Sequence, residues 1–154
     1  MWRALIPLLL LAGCTQPNGP AGEGAPDAPR ADGLPENYEV TGEVVAQGDP
    51  VIVASGAPCS TPGSQCARYP FTLNESAEVL AFLTWTLAAN DFDLYIFAEG
   101  APTSSEGTNA GPSAQTSASV AEILPPGEYE VVVVPFFVGR DTYTLAVEFA
   151  PTAA

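Results

Sequence analysis

The chain has no histidine and no lysine, and its only bases are four arginines set against 18 acids. Histidine is the side chain best placed for proton transfer near neutral pH, and lysine is needed for a Schiff base, so both routes to catalysis are closed. What remains for chemistry is serine without a base to activate it, three cysteines, and carboxylates. The formal charge is −14, becoming −15 if Arg3 leaves with the leader described below. Such a surface repels phosphate backbones and anionic membrane faces, so no nucleic-acid partner is expected. At 154 residues and 47% hydrophobic composition, the chain is long and apolar enough for one compact domain.

Long hydrophobic runs are also scarce. The first, Ala4 to Ala12 in "MWRALIPLLLLAGC", follows Arg3 and ends in small residues, which is the three-part layout of an export signal. It falls well short of the roughly 20 residues a helix needs to cross a bilayer, and Pro7 argues against a buried N-terminal helix. Leu11-Ala12-Gly13-Cys14 resembles the lipobox of bacterial lipoproteins. The resemblance implies that 1–13 is a signal peptide and that Cys14 is acylated, with palmitate-type chains, and becomes the new N-terminus. Leu11 would suit an ordinary secretory peptidase poorly if the cut followed Gly13, which favours the lipoprotein route. Each buried acyl methylene contributes about 0.8 kcal/mol, so two or three chains hold a protein on a membrane for practical purposes. Thr15 rather than aspartate after the cysteine is consistent with the outer membrane in a diderm cell, the domain lying in the periplasm or at the surface.

Residues 15–36 hold thirteen Pro, Gly or Ala and one large apolar residue, Leu34. So little apolar area does not offset ordering entropy, and the segment is expected to be a disordered tether, between about 25 Å long as a coil and about 70 Å as extended polyproline II. With Cys14 lipidated, Cys59 and Cys66 are left as a pair in an oxidising compartment. The intervening "STPGSQ" favours a turn, and the chain-entropy model gives roughly 2.5 kcal/mol for closing so short a loop with a disulfide. The competing metal reading has two sulfurs and no histidine, short of a four-ligand zinc site.

From Asn37 to Ala150 short apolar runs rich in Val, Thr, Phe and Tyr are separated by Gly, Pro, Asn and Asp. Strands are predicted near 38–47, 51–54, 68–74, 77–88, 91–98, 116–124, 128–138 and 141–149, with 103–117 a polar loop and 151–154 a tail. Period-two alternation puts Val79, Ala81, Leu83, Trp85 and Leu87 on one buried face. About eight short strands without an apolar helix predict an all-β fold, an antiparallel β-sandwich or jelly roll.

The second half, with Asp91-Phe92-Asp93-Leu94-Tyr95, then Pro126-Gly127-Glu128-Tyr129, then Thr142-Tyr143-Thr144-Leu145, resembles the bacterial pre-peptidase C-terminal domain. The resemblance implies a jelly-roll module of the kind appended to secreted proteases, displayed here without a protease. Relatives among clostridial collagen-binding modules bind calcium through acids before the domain and ahead of an early strand, where this chain reads Cys66-Ala67-Arg68-Tyr69 with no acid.

Alternation places Phe92, Leu94 and Ile96 on one face and Asp91, Asp93, Tyr95 and Phe97 on the other. Asp91 and Asp93, about 7 Å apart along a strand, can share a calcium if loops add oxygens, or can simply accept loop hydrogen bonds. They stand side by side rather than across a cleft, so glycosidase chemistry is not expected. In "YEVVVVPFF" the inward set is Tyr129, Val131 and Val133, leaving Val132, Val134 and Phe136 outward; with Tyr95 and Phe97 these form a patch for a polymer or protein if the face is open. Four expectations follow. The chain is non-enzymatic, needs no cofactor beyond a candidate calcium, is held on a membrane by its lipid, and binds an envelope or extracellular protein or polysaccharide. The alternative is a structural or accessory lipoprotein with no ligand of its own, possibly stiffened by calcium.

Overall fold

The computed structural model describes residue 30 and residues 32–45, 51–52, 66–107 and 116–152, with 51–52 and 104–107 described by backbone alone. Among the described residues there are nine strands: β1 (Tyr38–Val45), β2 (Val51–Ile52), β3 (Ala67–Leu73), β4 (Ala77–Trp85), β5 (Asp91–Ala98), β6 (Ala101–Gly107), β7 (Ser117–Leu124), β8 (Gly127–Val138) and β9 (Arg140–Pro151). One sheet runs β1-β9-β4-β7; the other runs β2-β8-β5-β6, with β3 also paired to β8. All pairings are antiparallel, and the fold is the expected all-β sandwich. Apart from β2 to β3 and the hairpin β5 to β6, each successive strand lies in the opposite sheet.

The core follows from alternation. β4 buries Ala77, Val79, Ala81, Leu83 and Trp85 and exposes the residues between them, of which only Thr84 is half-buried. Facing it are Phe92, Leu94 and Ile96 of β5 and Tyr129, Val131 and Val133 of β8, while Tyr143, Leu145, Val147 and Phe149 of β9 flank it. Each such large side chain contributes about 1.5–3 kcal/mol through the apolar area it removes from water. The Tyr69 and Tyr143 hydroxyls, 2.8 Å apart, tie β3 to β9 across the sandwich. The Tyr143 ring lies on the backbone of Gly42, where a Cβ would sit 2.2 Å from Tyr143 Cζ, so only glycine fits there.

Three expectations change. Leu87 is 53% exposed because β4 ends at Trp85 and the chain turns toward β5. The polar stretch from Ala101 to Gly107 is a strand, β6, rather than the start of a loop. It forms because Glu99 and Gly100 both take positive φ, 52° and 80°, in a two-residue turn that folds Ala101 back opposite Ala98. Backbone pairing to β5, not side-chain hydrophobicity, makes the strand. Last, the body begins before residue 37. Leu34 is fully buried in the core, Arg30 Nη2 donates to the Phe149 carbonyl at 2.8 Å, and the Arg30 amide donates to the Leu34 carbonyl. Residues 1–29, including the predicted leader and Cys14, lie outside the described residues.

Candidate functional site

The outward face of the five-stranded sheet is where the sequence placed a patch of Tyr95, Phe97, Val132, Val134 and Phe136. The structure closes it. Phe97 is 2% exposed, Val132 and Val134 at most 1%, and Cys66 and Tyr95 pack against them as a second small core. Tyr95 meets Phe97 edge to face at 6.0 Å, and Arg68 lies 5.3 Å from the centre of the Phe97 ring while pairing with Glu130. A cation over an aromatic face, neutralised by a neighbouring carboxylate, stabilises such a cover. Alternation correctly turned these residues away from the main core, but parity alone does not report what lies above a sheet. Phe136 is half-buried. At that point the register of β8 on β5 shifts, from Phe92 opposite Pro135 to Asp91 opposite Phe137, which exchanges the two faces. Val138 therefore enters the core and Phe137 is turned out.

Asp91 and Asp93 both sit half-exposed on the outer face of β5. Asp91 Oδ1 is buried with no hydrogen-bond partner among the described residues, and this desolvation raises its pKa above the ordinary carboxylate value. Among the described residues no group of three or more metal-ligating side chains converges. Cys59 lies outside the described residues, so the structure does not examine its pairing with Cys66.

Sequence reasoning missed a different carboxylate. Asp141, 5% exposed, lies at the start of β9 and accepts hydrogen bonds from five donors. Oδ1 takes the Thr86 amide at 3.3 Å, the Thr86 hydroxyl and the Thr142 amide at 2.8 Å; Oδ2 takes the Leu87 amide at 2.9 Å and Asn90 Nδ2 at 3.0 Å. Asn90 adds bonds from the Gly139 amide and to the Arg140 carbonyl, and its own carbonyl receives Trp85 Nε1. Two crossings between the sheets, β4 to β5 and β8 to β9, are welded here. Burial alone would raise the Asp141 pKa, but bonds from Thr86, Asn90, Leu87 and Thr142 outweigh it and hold the carboxyl below its usual value. With its acceptor capacity filled, this group is a structural joint rather than a ligand or proton donor. The only sequence signal was an aspartate at the first position of a predicted strand.

Beyond Phe137, 44% exposed at one end of the five-stranded sheet, a group of open apolar side chains lies on the other sheet. On the outer face of the four-stranded sheet, Leu80 is 39% exposed, Phe82 45% and Ile123 68%. Cross-strand register places Leu80 opposite Ala121 and Glu148, Phe82 opposite Ser119 and Ala146, and Ile123 opposite Glu78.

A search of solved structures returns the 1.0 Å crystal structure of the pre-peptidase C-terminal domain of a collagenase from Bacillus anthracis, with a TM-score of 0.51. The chain has that fold. Sequence identity to this domain is 14%, over 73% of the chain and 89% of the collagenase domain. No family model and no curated protein matches the sequence. The likeness to the pre-peptidase C-terminal domain is one of architecture, and the residues of the open face must be read on their own chemistry.

Proposed function

We propose that this chain is a lipid-anchored protein of a bacterial cell envelope whose β-sandwich is a non-enzymatic interaction module for a protein or polysaccharide. The observation that carries the reading is the open apolar face of the four-stranded sheet, where Leu80, Phe82 and Ile123 stay in water although the fold has a complete core beneath them. Exposed apolar side chains grouped on one face mark a contact surface. Lack of histidine and lysine, together with an Asp141 whose acceptors are saturated, supports a role without turnover. The anchor is Cys14, and Cys59–Cys66 forms a stabilising disulfide beside the second small core.

Labelling cells with an alkyne-tagged palmitate tests the anchor. The label is expected on the wild type, which pellets with membranes, and is lost in Cys14→Ser; an unlabelled, soluble wild type refutes it. Co-purification of a specific partner from solubilised membranes tests the interaction. One observation favours a second reading, a calcium-stiffened accessory spacer: the unpartnered, desolvated Oδ1 of Asp91 would be satisfied by a cation.

A further inference from the structure

We propose that the outer face of the four-stranded sheet docks a cationic protein segment in which lysine or arginine side chains bracket apolar ones; this rests on the interaction-module reading above and names the partner's chemistry. The face combines two properties. Ile123, Leu80 and Phe82, with Ala121 opposite Leu80 and Ala146 opposite Phe82, form a diagonal apolar stripe across β7, β4 and β9. Glu78, Glu148 and Glu39 flank that stripe: Glu78 is two residues from Leu80 on β4, Glu148 lies opposite Leu80 on β9, and Glu39 lies opposite Ala146. At strand spacings these carboxylates are about 5–7 Å from the apolar residues, within reach of one partner side chain.

None of the three acids has an ion-pair partner among the described residues. The described arginines are committed elsewhere: Arg30 to Asp32 and the Phe149 carbonyl, Arg68 to Glu130, and Arg140 to Glu43 at the far end of this face. The chain has no lysine to offer and a formal charge of −14. Among the described residues no base is left for this surface, and on this proposal a partner supplies the positive charge. A second copy would bring three more carboxylates against these three, and an anionic lipid surface would be repelled in the same way. A protein segment with bases beside apolar side chains satisfies both halves: apolar contact excludes water, and the acids set orientation and speed encounter.

The test uses the full-length protein in cells with a photoreactive residue replacing Ser119, on this face, or Thr72, exposed on β3 of the other sheet. From position 119 the expected adduct is to a protein, at a peptide carrying lysine or arginine beside apolar residues. Its yield should fall at least tenfold in Glu78→Lys/Glu148→Lys and in Phe82→Ser, with melting temperatures close to wild type because all three residues are exposed. As a readout independent of any further substitution, the adduct of otherwise unaltered protein should also weaken steeply as salt is raised. An adduct to a second copy or to lipid, or one indifferent to charge reversal and salt, overturns the proposal. Adducts from position 72 alone would refute this surface and leave the interaction module standing, whereas none from either position would refute both.

Discussion

Replacing Asp141 with asparagine keeps the shape of the joint and removes one acceptor oxygen. The amide oxygen can occupy either carboxylate position but not both. Where the new amino group replaces Oδ1 it confronts the Thr86 and Thr142 amides; where it replaces Oδ2 it confronts the Leu87 amide and Asn90 Nδ2. Either way two donors of this part-buried joint lose their acceptor, at about 1–3 kcal/mol each when fully buried and less where water reaches them, so a loss of roughly 1–4 kcal/mol is expected from a domain stabilised by only about 5–15 kcal/mol. The pH dependence has a fixed sign. The folded pKa lies below the unfolded one, so the carboxylate's contribution is fully present above about pH 4 and is lost as pH falls through the lower folded value. Urea unfolding followed by tryptophan fluorescence is a suitable assay, because the Trp85 indole donates to the Asn90 carbonyl in the same joint. The gap between wild type and Asp141→Asn should be wide at pH 7 and narrower at pH 3. A gap under 1 kcal/mol at pH 7, or one unchanged at pH 3, would refute the assignment of this carboxylate as the joint.

Glu99→Asn should raise the melting temperature, since asparagine tolerates the left-handed backbone at 99 that costs other side chains about 1–2 kcal/mol; an unchanged or lower value in calorimetry would count against the turn. Leu34→Ala should cost about 2–5 kcal/mol in urea titrations, whereas a leucine on a free tether would cost nothing measurable. Asp91→Asn should stabilise the domain at neutral pH. Its folded pKa is raised by desolvation, so protonation favours folding at low pH and that advantage is lost as pH rises through the folded value; thermal melts at pH 7 and pH 3.5 would show the gain at the first and little at the second. The same melts, repeated with calcium and with chelator, should show a calcium shift in wild type that Asp91→Asn lacks if the accessory spacer reading holds.

Strand positions were legible because most of the strands bury one side, and period-two alternation is then written into residue type: Val79, Ala81, Leu83 and Trp85 on β4 and Phe92, Leu94 and Ile96 on β5 all lie where alternation put them. β6 was not legible, because an edge strand held by backbone pairing needs no apolar face, and Glu-Gly is a weaker turn signature than Asn-Gly. Leu34 was hidden by its neighbours: among proline, glycine and alanine one leucine carries no period, and only the finished sandwich shows the space it fills. The Asp141 joint was unreadable for a related reason. Its donors lie some 50 residues away in sequence, at Thr86, Leu87 and Asn90, and come together only when two crossings meet.

The outer faces of the two sheets show why a candidate surface needs both parity and charge. Both carry apolar side chains at outward positions, and the sequence favoured the face with more of them. On the five-stranded sheet, Val132, Val134 and Phe97 are covered, and Arg68 spends its charge holding Glu130 beside the Phe97 ring. On the four-stranded sheet, Leu80, Phe82 and Ile123 have no such cover, and Glu39, Glu78 and Glu148 have no base among the described residues. In a chain with four arginines and no lysine, where each base goes decides which acidic surface stays uncompensated. An uncompensated surface that also keeps large apolar groups in water is shaped for a partner that supplies the missing charge together with apolar contact.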